Sequence, residues 1–512
     1  MNIDDIFKQP EQANKKVKLD SGSAKITTAD HQLSALIDQG EKVAAVIDLP
    51  TLKKLVSAFN KALQKNTIQR SKYAGDPMKY IESEADLVEA IKNLTSISSA
   101  PELYPALLDL DCLPNILSLL SHENTDISIQ CVELLNELVD EDLAEDEEGV
   151  GLLVEKLVQL DALDLLVANL GRLDDTRLDD KQGIFNTLSV FENFISVNPD
   201  LDARIFNTGK LLDWLLERIS RKEFDSVRQY CSELLSILVT RSEANRTKLV
   251  EKDGIEILLQ VLANYIKKDP GEGEEVELME NCFDILCLIL HHEAHKKLFM
   301  EGEGIQLMLI MIKQKKMAKM RAFKTLSHLM LGDSNEAAEQ LVELSGLGSI
   351  FSAFMKKSDT KYKKLYPDYS QKDQEEHLVS IIASLFRSLS PATAQRLIYK
   401  FIENDYEKLH RLILLHDQYK LKIQMVDAGE EDEEYFDLLE AGLFTLQMVD
   451  VILLYLITKS PEIKLVLPEL LGTINETLDN VINVLQVYCE NLDEGKEKQL
   501  ITDMISTIES NE

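Results

Sequence analysis

Two helical patterns alternate along the middle of this chain, and their repetition limits the possible folds more than any other feature. The first pattern consists of four large apolar residues at the three- and four-residue steps of a helix, and its six copies begin at Leu113, Leu163, Leu212, Ile255, Ile305 and Leu347. These starting points lie 50, 49, 43, 50 and 42 residues apart. One such unit is too small to bury its own apolar face, so the pattern predicts a stack of units that share one core.

A second helical pattern lies between the copies of the first. It begins with a small residue and continues with the same apolar spacing, and its copies begin at Cys131, Thr187, Cys231, Cys282 and Ala322. A small residue at a constant position allows two helices to approach closely. Ordinary helical periodicity does not explain two patterns that alternate in step over about 240 residues. The sequence therefore predicts an all-α fold, an armadillo/HEAT-type right-handed superhelical solenoid with helical N- and C-terminal caps.

The same patterns divide the chain into five predicted segments. They are a flexible tail with a basic segment (1–30), an N-terminal helical cap (31–110), the armadillo repeats (111–355), a loop (356–376), and degenerate repeats with a C-terminal helical cap (377–512). Apolar spacing in the last segment predicts helices at 377–389, 392–403, 405–422, 434–458, 473–490 and 497–509. Gly254, Gly304 and Gly346 precede the first helix of three repeats, and we expect each to let the backbone turn tightly there.

Composition supports a helical protein and limits its partners. The 512 residues include only 20 glycines and 12 prolines, too few for the frequent turns of a sheet-rich domain. The formal net charge of −34 repels nucleic-acid phosphates and anionic membranes and attracts basic partners. We therefore expect no direct nucleic-acid binding unless a basic patch is segregated. We also expect no membrane contact, because the most apolar stretch, 443–458, is short and contains Asp450.

No segment carries a recognisable catalytic pattern. The chain lacks the glycine-rich phosphate loop, the nucleophile elbow and the dinucleotide-binding pattern. The nearest approach to a metal site is the pair His291 and His295, which would share one helix face at the spacing of zinc ligands. Histidines also favour the end of a helix because of its dipole, so we prefer a structural role for this pair. The sequence predicts a protein that is not an enzyme and that has no cofactor or bound metal.

The second helix of each repeat carries the candidate binding site. In armadillo stacks this helix usually lines a concave groove, and its solvent-side positions here hold carboxylates and amides: Glu133, Asn136, Glu137, Glu192, Asn193, Glu233 and Asp284. Asparagine can hydrogen-bond the backbone of an extended peptide, and carboxylates pair with lysine or arginine. We therefore predict a groove that binds a basic peptide, with ordinary solvated positions as the alternative interpretation. The acidic run at 430–434 is predicted to be a loop.

A basic cluster lies in the predicted tail. Lys15, Lys16 and Lys18 resemble a nuclear-localisation segment that an import receptor could reach. A plain solvated tail is the alternative interpretation.

Six strings in the chain resemble the beta-catenin-like family of armadillo proteins, which is associated with the spliceosome. They are IESEADL (81–87), SHENTDISI (121–129), NTLSVFEN (186–193), EGEGIQLM (301–308), KFIEND (400–405) and EAGLF (440–444). The similarity extends from about residue 50 to the C-terminus, whereas the N-terminal tail is shorter and less basic than in the family. The resemblance implies a nuclear, non-enzymatic scaffold associated with the nineteen complex. It also implies binding of basic localisation-type segments, including one of the Myb-like Cdc5 splicing factor, and leaves self-association open.

Two other classes of function remain as alternatives. A nuclear-import adaptor resembling importin-α should carry Trp-x-x-x-Asn at successive groove helices, but the single tryptophan, Trp214, lies in the first helical pattern. A metal-dependent enzyme would use His291 and His295, and stoichiometric zinc in the purified protein would support it. We expect a nuclear scaffold in pre-mRNA splicing in preference to both.

Overall fold

The structure is a computed structural model that describes residues 47–140, 148–332, 334–356, 359–367, 369–426 and 431–510. Within these ranges the chain forms α-helices and short 3₁₀ helices, and no strand occurs there. The predicted all-α class is therefore confirmed for the described part of the chain. The predicted tail and its localisation residues Lys15, Lys16 and Lys18 lie outside the described residues.

The described residues divide into two compact units. The N-terminal unit extends through Arg221 and includes Asp225–Asn245. Its α-helices are α1 (Leu49–Lys72), α2 (Ile81–Thr95), α3 (Tyr104–Asp109), α4 (Leu113–Ser118), α5 (Thr125–Leu138), α6 (Glu148–Gln159), α7 (Ala162–Leu170), α8 (Leu178–Val197), α9 (Asp202–Phe206), α10 (Leu211–Ser220) and α11 (Ser226–Thr240). Short 3₁₀ helices occur at Pro77–Lys79, Ser96–Ser99, Pro101–Leu103, Leu119–Ser121 and Pro199–Leu201.

The C-terminal unit contains the chain from Arg246 onward, together with Lys222–Phe224. Helix α12 (Glu243–Glu251) crosses the boundary between the units. The helices that follow are α13 (Gly254–Ala263), α14 (Glu274–Ile289), α15 (Glu293–Glu301), α16 (Gly304–Gln314), α17 (Ala318–Leu329), α18 (Asn335–Glu343), α19 (Gly346–Phe354), α20 (Asp359–Leu365), α21 (Gln371–Ser388), α22 (Pro391–Gln424), α23 (Glu431–Ala441), α24 (Leu443–Lys459), α25 (Pro461–Gly472), α26 (Leu478–Asn491) and α27 (Lys496–Glu509).

The two alternating patterns correspond to two kinds of helix. Copies of the first pattern lie on α4, α7, α10, α13, α16 and α19, and copies of the second lie on α5, α8, α11, α14 and α17. The small residues that open the second pattern are all inaccessible to solvent: Cys131, Thr187, Cys231, Cys282 and Ala322. A further short helix, such as α12, α15 or α18, precedes the first-pattern helix of several repeats. The repeat unit therefore contains up to three helices, as expected for an armadillo stack.

Second-pattern helices pack side by side within each unit, and α2, α21 and α24 continue the same packing. In the N-terminal unit, α2, α5, α8 and α11 contact one another in this order, and we call them the N-terminal row. In the C-terminal unit, α14, α17, α21 and α24 do the same, and we call them the C-terminal row. Each row buries the apolar side of its helices, so no helix has to bury its apolar stripe alone.

The glycines before the first-pattern helices have a different role from the predicted one. The backbone adopts the left-handed conformation at the preceding residue, with φ of 59° at Glu303 and 61° at Ser345. Gly304 itself begins α16, and a side chain at this position would overlap the ring of Phe299. The prediction of a tight turn at the glycine was therefore wrong in its physical reason. These glycines are required for close packing rather than for a positive φ.

The C-terminal part differs from the prediction at several boundaries. The segment predicted as a loop, 356–376, contains α20 and the first turn of α21. The predicted helices 392–403 and 405–422 correspond to one element, α22, which is interrupted by non-helical residues from Glu403 to Tyr406. The predicted helix 434–458 is divided by Gly442 into α23 and α24, and α25 was not predicted. The acidic run is not the predicted loop either, because residues 431–434 form the first turn of α23; Glu430 lies outside the described residues.

Helix α24 forms the centre of the C-terminal unit. It contacts α21, α22, α25, α26 and α27, and every residue from 445 to 454 is buried. In the described part of the chain, no single helix has the length and apolar character needed to cross a membrane. The bent pair Tyr435–Ala441 and Leu443–Lys459, with 65° between its helices, meets those two criteria only when taken together.

Candidate functional site

The N-terminal row brings six of the seven predicted groove residues onto successive helices. Helix α5 carries three of them, α8 carries two and α11 carries one: Glu133, Asn136, Glu137, Glu192, Asn193 and Glu233. Close packing of α5 on α8 places these residues near one another, since Ile129 fills the space where Gly183 has no side chain. The seventh residue, Asp284, lies on α14 in the other unit.

These six side chains differ in exposure. Glu133 and Glu137 are exposed, whereas Asn136, Glu192 and Glu233 are half-buried. Asn193, predicted to face solvent, is only 7% exposed. Its Nδ2 donates to Oδ1 of Asn136 at 3.4 Å, so the two amides connect neighbouring helices of the row. A peptide would therefore contact the carboxylates more readily than Asn193.

Two glutamines, which the sequence analysis did not select, position carboxylates of this surface. Gln130 Nε2 donates to Glu133 Oε2 at 2.6 Å, and Gln229 Nε2 donates to Glu233 Oε2 at 2.9 Å. Each glutamine precedes its glutamate by about one helical turn and is mostly buried. The spacing of three or four residues was the available signal, because side chains so separated lie on one helix face.

Tyr230 was also missed and joins α11 to α8. Its hydroxyl donates to Glu192 Oε2 at 2.6 Å, and its ring lies 5.6 Å from the ring of Phe185. Burial, together with the Glu192 carboxylate, raises the pKa of Tyr230, so the hydroxyl stays protonated and remains a donor. Tyr230 lies three residues before Glu233, and this helical spacing was the signal that could have identified it.

We define the acidic surface as the six predicted residues together with Gln130, Gln229 and Tyr230. Among the residues that the structure describes, no lysine or arginine forms an ion pair with Glu133, Glu137 or Glu233. Hydrogen bonds to neutral amides orient two of these carboxylates without cancelling their charge. Glu133, Glu137 and Glu233 thus offer negative charge that no described basic residue neutralises, which favours binding of lysine or arginine side chains.

The corresponding carboxylates of the C-terminal row are neutralised. Lys324 on α17 donates to Asp284 Oδ1 at 2.7 Å, and Arg321 on the same helix pairs with Glu280. Burial opposes the charged form of Arg321, but the Glu280 carboxylate keeps its pKa raised. Asp284 therefore lies apart from the other predicted residues, in an environment that already contains its counter-charge.

The histidines at the end of α14 have separate local contacts. His291 Nε2 lies 3.0 Å from Nδ1 of His328, and His295 Nδ1 lies 3.2 Å from the Ile289 carbonyl oxygen. Neighbouring His292 caps α15 by accepting from the Ala294 amide. No group of three or more potential metal ligands occurs in the described ranges. These contacts give His291 and His295 structural roles at a helix boundary.

Comparison with known proteins identifies one family over most of the chain. The family described as "Catenin-beta-like, Arm-motif containing nuclear" matches residues 31–486. The sequence is 38% identical over 472 residues to "Beta-catenin-like protein 1" of Homo sapiens, covering 88% of this chain and 83% of that protein. It is 34% identical over 459 residues to "Beta-catenin-like protein 1 homolog" of Schizosaccharomyces pombe, covering 86% and 79%.

Sequence identity to a solved structure is lower than to these relatives. A chain from a structure concerning a phosphorylation switch in the interaction between cadherin and beta-catenin superposes with a TM-score of 0.47 and 13% sequence identity. The superposition covers 91% of this chain and 99% of that chain.

Proposed function

This chain belongs to the catenin-beta-like family of nuclear proteins that contain Arm motifs, and we propose that it is a non-enzymatic protein-binding scaffold. In this proposal the acidic surface holds a basic segment of a partner protein. The observation that carries the proposal is that no described lysine or arginine forms an ion pair with Glu133 and Glu137 on α5 or with Glu233 on α11. The residues that would hold the segment are Glu133, Asn136, Glu137, Glu192 and Glu233, with Asn193 supporting Asn136.

The chemistry of recognition follows from the two kinds of group on this surface. Carboxylates on α5, α8 and α11 would pair with successive lysine or arginine side chains of an extended peptide. The exposed edge of the Asn136 amide can hydrogen-bond the peptide backbone, which carries no charge. The affinity of such binding depends on the density of positive charge along the segment. A localisation-type sequence has this property because basic residues are clustered in it.

We further propose that the chain acts in the nucleus in pre-mRNA splicing, as an associate of the nineteen complex. The support is the nuclear description of the family and the six family-specific strings in the sequence. A basic segment of the Myb-like Cdc5 splicing factor is the partner that the resemblance implies. Affinity purification from nuclear extract followed by mass spectrometry tests this proposal, and recovery of the protein without splicing factors would contradict it.

A direct test of the acidic surface uses charge reversal. Changing both Glu137→Lys and Glu192→Lys places positive charge on α5 and α8, so we expect the Kd for a fluorescein-labelled lysine- and arginine-rich peptide to rise at least about tenfold. The matched control is Glu155→Lys with Asp164→Lys, two exposed carboxylates on α6 and α7 outside the row. This control has the same net charge and should bind almost as the wild type does.

Thermal unfolding of both variants must remain close to that of the wild type, since Glu192 also accepts the Tyr230 hydrogen bond. Glu137→Lys alone provides a variant that breaks no described contact. Equal affinity of the double variant and the wild type for the peptide at moderate salt would show that the acidic surface is not the binding site. An equal loss of affinity in the control would mean that net charge, and not the acidic surface, causes the weaker binding.

A further inference from the structure

A cluster of lysines in the C-terminal unit stands out in a chain with a formal net charge of −34. Three separate segments contribute exposed lysines: the loop after α13, the end of α16, and helix α20. We define the lysine surface as these seven residues: Lys267, Lys268, Lys313, Lys315, Lys361, Lys363 and Lys364. None of them is part of the acidic surface, which lies in the other unit.

Asp269 holds two of these segments together and connects them to the end of α20. Its Oδ1 accepts a hydrogen bond from the Met317 amide at 2.9 Å. Its Oδ2 accepts from the Tyr366 hydroxyl at 3.0 Å and lies 3.4 Å from Nζ of Lys316. Because Asp269 directly follows Lys267 and Lys268, these contacts bring all three lysine-bearing segments to one region of the fold.

Two tyrosines set the orientation of α20. Tyr362 and Tyr366 are 5% and 9% exposed, and their ring centroids are 4.5 Å apart. The Tyr362 hydroxyl donates to the Lys316 carbonyl oxygen at 3.0 Å, and Lys319 Nζ lies 4.5 Å from the centre of the Tyr362 ring. With the tyrosines buried on one side of this short helix, Lys361, Lys363 and Lys364 lie exposed on the other.

The charge of the lysine surface is not compensated. None of its seven lysines forms an ion pair with a residue that the structure describes, whereas nearby Lys316 and Lys324 each have a carboxylate partner. Three exposed carboxylates, Glu272, Glu274 and Glu277, and the half-buried Glu275 follow Asp269 in the chain, and the seven lysines outnumber these four. Salt screens charges beyond about 8 Å at physiological ionic strength. The distant acidic residues therefore do not cancel the local positive field.

We propose that the lysine surface binds the phosphate backbone of nucleic acid without reading its base sequence. A lysine ammonium binds phosphate as a flexible point charge, whereas planar carboxylate recognition favours the two-pronged guanidinium of arginine. The exposed basic residues of the three segments are all lysines. The nearby aromatic rings of Tyr362 and Tyr366 are buried, so they cannot stack on bases. Within a nucleic acid, the phosphates are therefore the groups that these lysines can bind.

The proposal meets the condition set by the composition. A strongly acidic chain is expected to repel nucleic acid unless its basic residues are segregated, and here seven exposed lysines are segregated. It goes beyond the scaffold function, because protein binding by the acidic surface does not require it. In a nuclear protein, such a site would tether the scaffold to RNA or DNA with an affinity set mainly by salt.

The test measures binding of the full-length chain to fluorescein-labelled single-stranded poly(U) by fluorescence anisotropy. The variant carries Lys267→Glu, Lys313→Glu and Lys364→Glu, one change in each segment, none at a residue with a described ion pair. The matched control carries Lys53→Glu, Lys54→Glu and Lys61→Glu, exposed lysines on α1 of the other unit. Both variants therefore have the same net charge.

We expect the variant to weaken binding at least about tenfold while the control stays within about twofold of the wild type. The slope of log affinity against log salt should become less steep by about 2, since three phosphate contacts are lost. Poly(A) should bind about as well as poly(U). The Glu137→Lys, Glu192→Lys variant should retain RNA binding, which separates this site from the acidic surface.

Three results would overturn the proposal. One is equal weakening in the control, which would mean that net charge rather than the lysine surface governs binding. Another is tighter binding of poly-glutamate than of poly(U), which would assign the surface to an acidic protein partner. The third is no RNA binding by the folded wild-type chain at low salt. Thermal unfolding of the triple variant near the wild-type temperature shows that lost binding is not lost folding.

Discussion

Gly304 illustrates how a single residue controls the junction between repeats. It begins α16 next to the fully buried ring of Phe299, and the preceding Glu303 takes the left-handed backbone conformation with φ of 59°. A β-carbon on Gly304 would overlap that ring, which packed neighbours prevent from moving aside. The same arrangement occurs before α13 and α19, where the side chains of Leu249 and Leu341 occupy the corresponding space.

We predict that Gly304→Ala lowers the free energy of unfolding by about 1–3 kcal/mol, because the added methyl group forces the Phe299 ring out of its packed position. Gly348→Ala is the matched control, since that glycine lies exposed in α19 with open space around a β-carbon. The control should be neutral or stabilising by up to about 1 kcal/mol, as alanine favours the helix. Urea denaturation measures both, and equal effects would contradict the close-packing role.

Residues of the acidic surface show what periodicity predicts and what it misses. Helical spacing predicted that Glu133, Glu137 and Glu233 face solvent; Glu133 and Glu137 are exposed, and Glu233 is half-buried. It also placed Asn193 there, but the neighbouring helix covers it, leaving it 7% exposed. Spacing along one helix specifies a face, whereas burial depends on the side chains of the next helix. The polar contact of Tyr230 with Glu192 on α8 depends on that same neighbour.

At the scale of elements, a buried ionisable pair connects α22 to α24. His416 Nδ1 lies 2.6 Å from Asp450 Oδ1, and both side chains are inaccessible to solvent. On its other side, His416 Nε2 lies 4.0 Å from Glu476 Oε2, and Glu476 is already paired with Lys420. Burial raises the pKa of Asp450 to about 6. Burial opposes the charged form of His416, but the Asp450 carboxylate outweighs it and raises the His416 pKa.

These two shifts have the same consequence for stability. A raised pKa in the folded chain means that the folded state holds more protons than the unfolded state. For Asp450 the folded state holds this additional proton between about pH 4 and about pH 6. For His416 it does so from about pH 6.5 up to the raised pKa of His416. The contribution of the pair is therefore largest at low pH and is lost as pH rises through these ranges.

We predict that Asp450→Asn reverses this dependence near pH 6.5. His416 then remains buried without a carboxylate partner on Nδ1, so burial lowers its pKa and stability rises with pH through this range. The substitution should also cost about 2 kcal/mol at neutral pH, since a charge-assisted hydrogen bond is lost. Urea denaturation of both proteins from pH 5.5 to 8 measures the difference between them. If the difference in free energy of unfolding between the two proteins does not vary with pH, the His416–Asp450 pair is not the cause of the pH dependence.

Element boundaries were least predictable in the C-terminal unit. The interruption of α22 between Glu403 and Tyr406 and the division at Gly442 were not visible in apolar spacing alone. At Gly442, φ is 107° and the Tyr419 ring lies where a β-carbon would be, so packing against α22 determines where α24 begins. In the regular repeats, each helix packs against an equivalent helix of the next repeat. The degenerate repeats lack such equivalent neighbours, so the ends of their helices depend on individual contacts.

At the scale of the whole molecule, the chain carries 89 acidic and 55 basic residues, and their charge is unevenly distributed. The acidic surface in one unit and the lysine surface in the other have opposite sign, and in both the charge is largely uncompensated. Net self-repulsion destabilises a compact chain, while local fields attract partners of opposite charge. The same charges therefore oppose folding and favour binding.

We predict opposite effects of salt on these two properties. Raising sodium chloride from about 0.05 M to about 0.5 M should increase the thermal unfolding temperature by a few degrees, because it screens repulsion among carboxylates. The same change should weaken binding of a basic peptide and of RNA. Near pH 4.7, the calculated isoelectric point, the stabilising effect should largely vanish. A fall in unfolding temperature with salt at neutral pH would contradict the prediction.

The sequence by itself determined the helical class and the repeat. Each repeat unit must bury one face of its helices, so its apolar residues recur at helical spacing. This spacing is visible in the sequence without a structure. Only the tertiary structure decided which charges stay free. Asp284 is neutralised by Lys324 from the next helix, and the lysine surface is assembled through Asp269 from segments up to about 100 residues apart. Electrostatic compensation depends on distances across helices, and a linear pattern does not contain those distances.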